Sequence, residues 1–235
     1  MTISTEICAS TIRDVAVAME AGVDRVELCS LWKAGGITPG IVVVQSAVAM
    51  GMKVRTLIRP REGTFVHSRS ELVWSTEEAK LMMDCGAERV VVGGLTEEGR
   101  LDERYLEAMC TAVGPEHLVW HRAIDMSEDA LSDVTLLLNA GVNAVLSSGG
   151  AARAVEGVDR IKRMADLGME VVAGGGVRPK DVMALAEAGV EAVHASCRVT
   201  TEAQTSPLFD DAVHPVNPDK AMAFVDAAQH VGHED

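Results

Sequence analysis

The sequence predicts a single (β/α)8 TIM barrel, an α/β fold, on three observations. One phrase recurs along the chain: a helical apolar pattern, a glycine and a short apolar run, as in Ala18–Leu28 and Leu185–Val193. The length of 235 residues suits one such barrel. The recurring glycines are spaced by about one βα unit, because each ends a helix before a buried strand. They lie at positions 22, 51, 86, 114, 141, 168 and 189.

The elements follow in order from this repeat. Ile3 to Cys8 supplies an opening strand, and the seven helix-to-strand joints require seven more strands, for eight in all. A helix begins near Pro179, and the last one runs from about Pro218 to His230. Without a Pro/Ser-rich linker, residues 1–235 are predicted to form one domain, with a frayed tail from about 231 to 235.

A doubly wound sheet is the competing fold. It would bind a nucleotide at a GxGxxG turn after its first strand, but here the first strand leads into Ala9–Asp14, which contains no glycine. The barrel is therefore preferred, and no nucleotide cofactor is expected.

Composition narrows the classes of partner. Lys and Arg total 21 against 35 Asp and Glu, a net charge of −14, and only seven residues are aromatic. This balance disfavours attraction to nucleic acid and to anionic membranes. The five cysteines are odd in number and form no CxxC pair, so no disulfide framework is expected. The N-terminus lacks a basic and apolar leader, which makes the cytoplasm the predicted location.

Charged residues are predicted to point into the barrel. Strand alternation sends Glu6, Arg25, Glu27 and Arg55 inward on three neighbouring strands. Such charges are costly unless they are paired, so an alternating ladder would satisfy them. Two interpretations stay open: a structural ion-pair network that fills the interior, and a ligand site at the functional end.

Two cysteines lie at matched places. Cys8 and Cys29 each follow a glutamate by two residues on strands predicted to be neighbours. A thiolate pair is a soft ligand set suited to Cu(I). A reversible disulfide and a plain packing role are the alternatives.

Anion and proton-transfer groups follow other strands. Gly174, Gly175 and Gly176 precede a helix and resemble a phosphate cradle, although such glycines can simply permit a tight turn. Arg59 and Arg61 could clamp an anion. His121 and Asp125 are spaced to act as acid and base, or as hydrogen-bonded core residues.

At these residues the sequence resembles the CutC family of copper homeostasis proteins, which are (β/α)8 barrels. The matching stretches are Ala21–Cys29, Gly35–Pro39, Arg59–Arg61 with Phe65 and Ser68, His121–Asp125, Ser148–Gly149, Gly174–Val177 and His194–Ser196. The resemblance covers about the first 200 residues. It implies a cytoplasmic, often dimeric barrel linked to copper, with cysteines as the proposed Cu(I) ligands. The chain departs from the family pattern after Arg61, at His67 and at Gly40, so details of a substrate do not transfer.

Three hypotheses result. The first is a cytoplasmic protein, expected as a homodimer, that binds Cu(I) through Cys8 and Cys29. The second is an enzyme of lyase or isomerase type acting on a small anionic or phosphorylated carbonyl compound, with Glu27, His121 and Asp125 as catalytic residues. The third is a scaffold without chemistry. The expected substrate- or anion-binding residues are Glu6, Arg25, Arg55, Arg59, Arg61, Arg122, Ser148, Gly149, Gly174, Gly175, Gly176, His194 and Ser196.

Overall fold

Eight parallel strands close into a barrel in strict chain order, which confirms the predicted fold. A computed structural model describes residues 3–201 and 212–231. The first strand pairs with the second on one side and with the eighth on the other, so the described sheet has no free edge. The strands are β1 (Ser4–Ala9), β2 (Arg25–Leu28), β3 (Val54–Leu57), β4 (Arg89–Val92), β5 (Leu118–Trp120), β6 (Ala144–Ser147), β7 (Glu170–Gly174) and β8 (Ala192–Ala195).

Eight α-helices connect the strands and surround the barrel. They are α1 (Ile12–Glu20), α2 (Ile41–Ala49), α3 (Arg69–Asp84), α4 (Glu103–Val113), α5 (Ala130–Asn139), α6 (Val158–Asp166), α7 (Val182–Glu187) and α8 (Pro218–Gln229). The last agrees with the predicted helix from Pro218. The helix predicted near Pro179 starts with a 3₁₀ turn over Pro179–Asp181, and α7 follows it. Within residues 3–201 and 212–231, none of the helices has the length and apolar character needed to cross a membrane.

The glycines that mark the repeat have positive φ at all seven positions. Six directly follow the residue that ends their helix, as at Gly22 after Ala21. Gly114 is different, because its ψ of 139° lies outside the left-handed helical region. The repeat therefore arises from one helix-ending device used six times, with a variant after α4.

The strand side chains form an outer and an inner core. Ile7, Val26 and Leu28 face the helices in the large outer cluster, as strand alternation predicts. Cys8, Cys29 and Leu57 belong to a separate apolar cluster inside the barrel. The site therefore lies on the inward-facing set. A single domain over residues 1–235 stays a prediction, and residues 232–235 of the proposed frayed tail lie outside the described residues.

Candidate functional site

The floor of the barrel holds a buried ion-pair network centred on Glu6. The Glu6 carboxylate accepts a 2.6 Å hydrogen bond from Arg25 Nε and lies 3.3 Å from Arg55 Nη1. Arg55 and Arg89 also pair with Glu170, the first residue of β7. These groups belong to the lower part of the strands, away from the mouth. Arg25 and Arg55 therefore act on Glu6 and Glu170, rather than at the mouth where the sequence suggested an anion.

His194 connects this floor to the layer above it. Its Nδ1 is 2.7 Å from Glu6 Oε1 and 4.0 Å from Glu27 Oε2. Burial opposes the charge on both partners, but the His194–Glu6 hydrogen bond and the charges of Arg25 and Arg55 hold the pKa of Glu6 well below its usual range. The same hydrogen bond and the nearby carboxylates raise the pKa of His194 despite its burial. Glu6 and His194 consequently each favour the charged form of the other.

Glu27 has a different environment from Glu6. Its carboxyl group is buried, and Oε2 has no hydrogen-bond partner among the described residues. Burial raises the pKa of Glu27 to about 7, with help from the negative charge of Glu6 and against the charge of His194. The sequence placed Glu27 in a ladder with arginines, whereas Arg25 and Arg55 pair with Glu6. Glu27 is left to face the cavity.

Glu6, Glu27 and His194 could together hold a metal ion, because one ligand atom from each lies within 4.8 Å of the others. The chemistry of this set disfavours a cation, however. Glu6 is already the counterion of two arginines, so a cation there would face their positive charges. The group fits better as a hydrogen-bonded acid and imidazole pair.

Cys8 and Cys29 meet in the mouth of the barrel. Their Sγ atoms are 3.4 Å apart, and both residues are free and buried. Cys8 and Cys29 are not directly opposite each other in the register of β1 and β2. Cys8 pairs with Glu27, which lies two residues before Cys29. The sequence predicted matched places, and the structure instead brings the thiols together diagonally.

The two thiols are not equivalent. The hydrogen bond between them and burial raise the pKa of Cys8, while the same hydrogen bond lowers the pKa of Cys29. Arg198 lies beside them and donates to the Cys8 carbonyl oxygen and to Ser10 Oγ. Its positive charge favours the thiolate form of both cysteines. The arrangement is a hydrogen-bonded pair of thiols with a nearby cation.

A cavity of about 310 Å³ opens above these groups. The predicted site residues that line it are Cys8, Glu27, Cys29, Arg59, Arg122, His121, Gly175, Gly176, His194 and Ser196. The structure thus brings together residues from β1, β2 and β8 and from the loops after β3, β5 and β7. A mixed lining of charged, thiol and apolar groups is typical of a small-molecule or ion site.

Other predicted residues do not line the cavity. Arg61 pairs with Glu71 at the start of α3, at 2.5 Å, so it does not form a clamp with Arg59. Asp125 accepts hydrogen bonds from the Ser147 hydroxyl, the Ser148 amide and hydroxyl, and Arg122. With its oxygens occupied in this way, Asp125 organises the loop after β6 rather than offering a free base. Ser148, Gly149 and Gly174 are also not among the residues that line the cavity.

The glycine loop after β7 is already capped from within. The Arg178 amide donates to the Asp181 carboxylate, which also pairs with Arg153. An anion at the start of this turn would compete with that carboxylate. Gly175 serves close packing instead, because a Cβ there would lie 2.9 Å from the Ser148 Cβ.

Three residues at the site were not found from the sequence. Trp32 and Phe65 line the cavity, and Arg198 lies beside Cys8. Phe65 appeared only inside a family stretch, and no local pattern marks Trp32 or Arg198. Arg198 is placed by long-range contacts, including an ion pair with Asp14 at 3.3 Å and a cation–π contact with Trp32. Only the closed fold brings such distant segments together.

Comparisons with known proteins agree with the resemblance found in the sequence. The CutC family model matches residues 3–199. A CutC family protein of Salmonella paratyphi B is 35% identical over 197 residues, covering 83% of this chain and 79% of the relative. One from Agrobacterium fabrum is 32% identical over 209 residues, covering 87% and 81%.

Solved structures give the same result. A protein from Streptococcus agalactiae, described as a copper homeostasis protein CutC, superimposes with a TM-score of 0.76 at 28% identity. The match covers 83% of this chain and 98% of that one. A 3-hexulose-6-phosphate synthase reaches a TM-score of 0.62 at 18% identity over 97% and 99%, which shows a shared fold alone. On its family match and these relatives, the chain belongs to the CutC family.

Proposed function

We propose that this protein binds Cu(I) through Cys8 and Cys29 in the mouth of the barrel. The observation that carries the proposal is the 3.4 Å separation of two free, buried sulfur atoms at the cavity. Thiolates are the soft ligands that Cu(I) prefers. Membership of a family named for copper homeostasis supports the same ion as cargo.

The surrounding charges fit a thiolate complex. Cu(I) with two thiolates carries one net negative charge, which is costly to bury without a counterion. Arg198 supplies a cation whose charge favours the thiolate form of both cysteines. Burial also keeps bulk water away from the sulfur atoms. Binding would release the thiol protons, because the thiolate is the form that coordinates the ion.

An anaerobic Cu(I) titration against a competing chelator tests the proposal. The Cys8→Ser/Cys29→Ser double variant should no longer take Cu(I) from the chelator, because a hydroxyl is a poor ligand for Cu(I). A Cys85→Ser/Cys110→Ser double variant is the matched control, since both cysteines are half-buried on the outer helices. Unchanged affinity in the Cys8/Cys29 variant would exclude these residues as the ligands.

Acid–base catalysis on a small anionic carbonyl compound is the second candidate function. The supporting observation is that Arg59, His121, Glu27 and His194 line the same cavity, although two thiols suffice to hold Cu(I). Transfer of deuterium from D₂O to carbon-bound positions of hydroxy and oxo acids, followed by proton NMR, tests it. Absence of exchange above the rate of a Glu27→Gln variant would count against this candidate.

The cellular setting is part of the proposal. We expect a cytoplasmic homodimer, because the family resemblance implies a cytoplasmic barrel that is often dimeric or larger. Sedimentation equilibrium of the purified chain tests the dimer, and a monomer at all concentrations would exclude it. Fractionation of cells that express the protein tests the location.

A further inference from the structure

Arg59 is a buried arginine without a carboxylate partner among the described residues. Its Nη1 donates to the carbonyl oxygens of Ala34 and Gly36, and its Nη2 donates to that of Gly63. These carbonyl oxygens accept the hydrogen bonds of the Arg59 guanidinium but do not neutralise its positive charge. Nε is buried and has no acceptor among the described residues. Since Arg59 is only 6% exposed and lines the cavity, its positive charge needs a counterion there.

The other buried arginines at the barrel show that this situation is unusual. Arg25 and Arg55 pair with Glu6, and Arg198 pairs with Asp14. The exposed Arg122, which also lines the cavity, pairs with Asp125. Within the described part of the chain, Arg59 is therefore the cavity arginine that forms no ion pair with a carboxylate side chain.

His121 offers a second donor on the same wall. Its Nδ1 accepts the Ala123 backbone N–H at 3.1 Å, so the neutral ring must carry its proton on Nε2. Burial and the charge of Arg59 lower the pKa of His121 to about 3, which keeps the ring neutral. Nε2 is buried without an acceptor among the described residues. A fixed Nε2–H donor of this kind can bind an anion without bringing its own charge.

Phe65 places the two donors on one wall. The Arg59 guanidinium lies 4.9 Å from the centre of the Phe65 ring, and the His121 ring centre lies 4.8 Å from it. Phe65 therefore links the two residues along the cavity lining, to which all three belong. A carboxylate carries two acceptor oxygens, one for each residue.

The charge balance of the cavity selects the class of anion. Arg59 contributes one uncompensated positive charge, whereas the buried Glu6 and Glu27 carboxyl groups oppose further negative charge. A doubly charged phosphate would exceed this balance. In the loop after β7, the Arg178 amide already donates to the Asp181 carboxylate and is not free for a phosphate. A monocarboxylate fits the charge, and about 310 Å³ of space fits a small organic acid.

We propose that Arg59 and His121 form the carboxylate-binding end of a site for a small organic monoanion. This inference deepens the second candidate function by naming its substrate class. The inference concerns binding of the monoanion alone, so tests of copper binding or of turnover do not decide it.

Isothermal titration calorimetry with acetate, L-lactate and pyruvate tests the proposal, with lactamide as the neutral match of lactate and inorganic phosphate as the competing anion. We expect saturable binding of at least one monocarboxylate and none of lactamide. Arg59→Met and His121→Phe should each weaken that binding by about ten- to a hundredfold, the usual effect of losing a charge-assisted hydrogen bond. His121→Gln, whose amide can place a donor near the original Nε2, should recover part of the loss.

Controls separate binding from folding and from the other proposals. Urea unfolding of each variant reports whether Arg59→Met still folds, and His121→Phe gives an independent readout if it does not. Arg163→Gln, on the outer helix α6, removes a remote positive charge and should leave binding unchanged. The titrations use metal-free protein and measure binding alone, so their outcome depends neither on copper binding nor on turnover.

Any of five results would overturn the inference. Four of them are equal binding of lactate and lactamide, tighter binding of phosphate than of any monocarboxylate, wild-type affinity in folded Arg59→Met and His121→Phe variants, and no saturable binding of the three acids. Loss of binding in Arg122→Met but not in Arg59→Met would move the anion to the glycine loop and would equally refute the assignment.

Discussion

Replacing Glu6 by glutamine tests how much the buried network at the barrel floor contributes to stability. The carboxylate lies 2.6 Å from Arg25, 3.3 Å from Arg55 and 2.7 Å from His194. Glutamine keeps the size but removes the charge. Arg55 retains Glu170, whereas Arg25 keeps no carboxylate partner among the described residues.

The expected cost follows from that uncompensated arginine. Breaking a buried ion pair on one side costs about 3–5 kcal/mol, because the remaining charge stays out of water. For a domain of this size the loss corresponds to a fall in Tm of about 10 °C. Urea unfolding followed by circular dichroism measures the free energy, and calorimetry measures Tm.

A matched variant and pH dependence sharpen this test. Glu77→Gln removes an exposed ion pair with Lys80 and should cost less than about 0.5 kcal/mol. Because the pKa of Glu6 is lowered in the folded state, its stabilisation is present above the unfolded pKa and is lost as pH falls. The difference between wild type and Glu6→Gln should therefore shrink below about pH 4. A loss no larger than that of Glu77→Gln would refute the reasoning.

Three further predictions concern the loops around the cavity. Gly93→Ala should cost about 1–3 kcal/mol in urea unfolding, because the new Cβ would overlap the His121 ring, whereas Gly40→Ala, with open space at its Cβ, should change stability by less than about 0.5 kcal/mol; equal effects would contradict the overlap. His121 should stay neutral at pH 5 in nitrogen-15 NMR, and an imidazolium signal at that pH would contradict the prediction. Because the pKa of His121 is lower in the folded than in the unfolded state, the stability of the wild type should fall relative to His121→Gln as pH drops below about 6, by up to about 1.4 kcal/mol per pH unit. Asp125→Asn should cost about 1.5–3 kcal/mol and speed hydrogen exchange of the Ser148 amide, which donates to that carboxylate; unchanged exchange would exclude the organising role.

The barrel itself was predictable because its information is local. Each helix-ending glycine and the apolar run that follows it lie within about ten residues, so a repeat such as Ala18–Leu28 can be read directly. Strand alternation likewise assigned Glu6, Cys8 and Cys29 to the interior, and all three are buried. Periodicity determines which face a side chain takes without knowledge of its partners.

The partners of those side chains could not be predicted. Arg59 and Arg61 are two residues apart, yet Arg59 lines the cavity and Arg61 pairs with Glu71 on the outside. The sequence left His121 and Asp125 as either an acid and base pair or hydrogen-bonded core residues, and in the structure the loop after β6 donates hydrogen bonds to Asp125. Such outcomes depend on which loops approach each other after the barrel closes.

The sequence by itself determined the fold, the family resemblance and the inward set of charges and thiols. The tertiary structure decided their pairing: Glu6 with two arginines and His194, Cys8 diagonally against Cys29, and Arg59 without a carboxylate partner among the described residues. The physical reason is that alternation along a strand is a local property, whereas the stagger between strands and the paths of the loops arise only on closure. Charge compensation in a buried interior depends on that closed geometry.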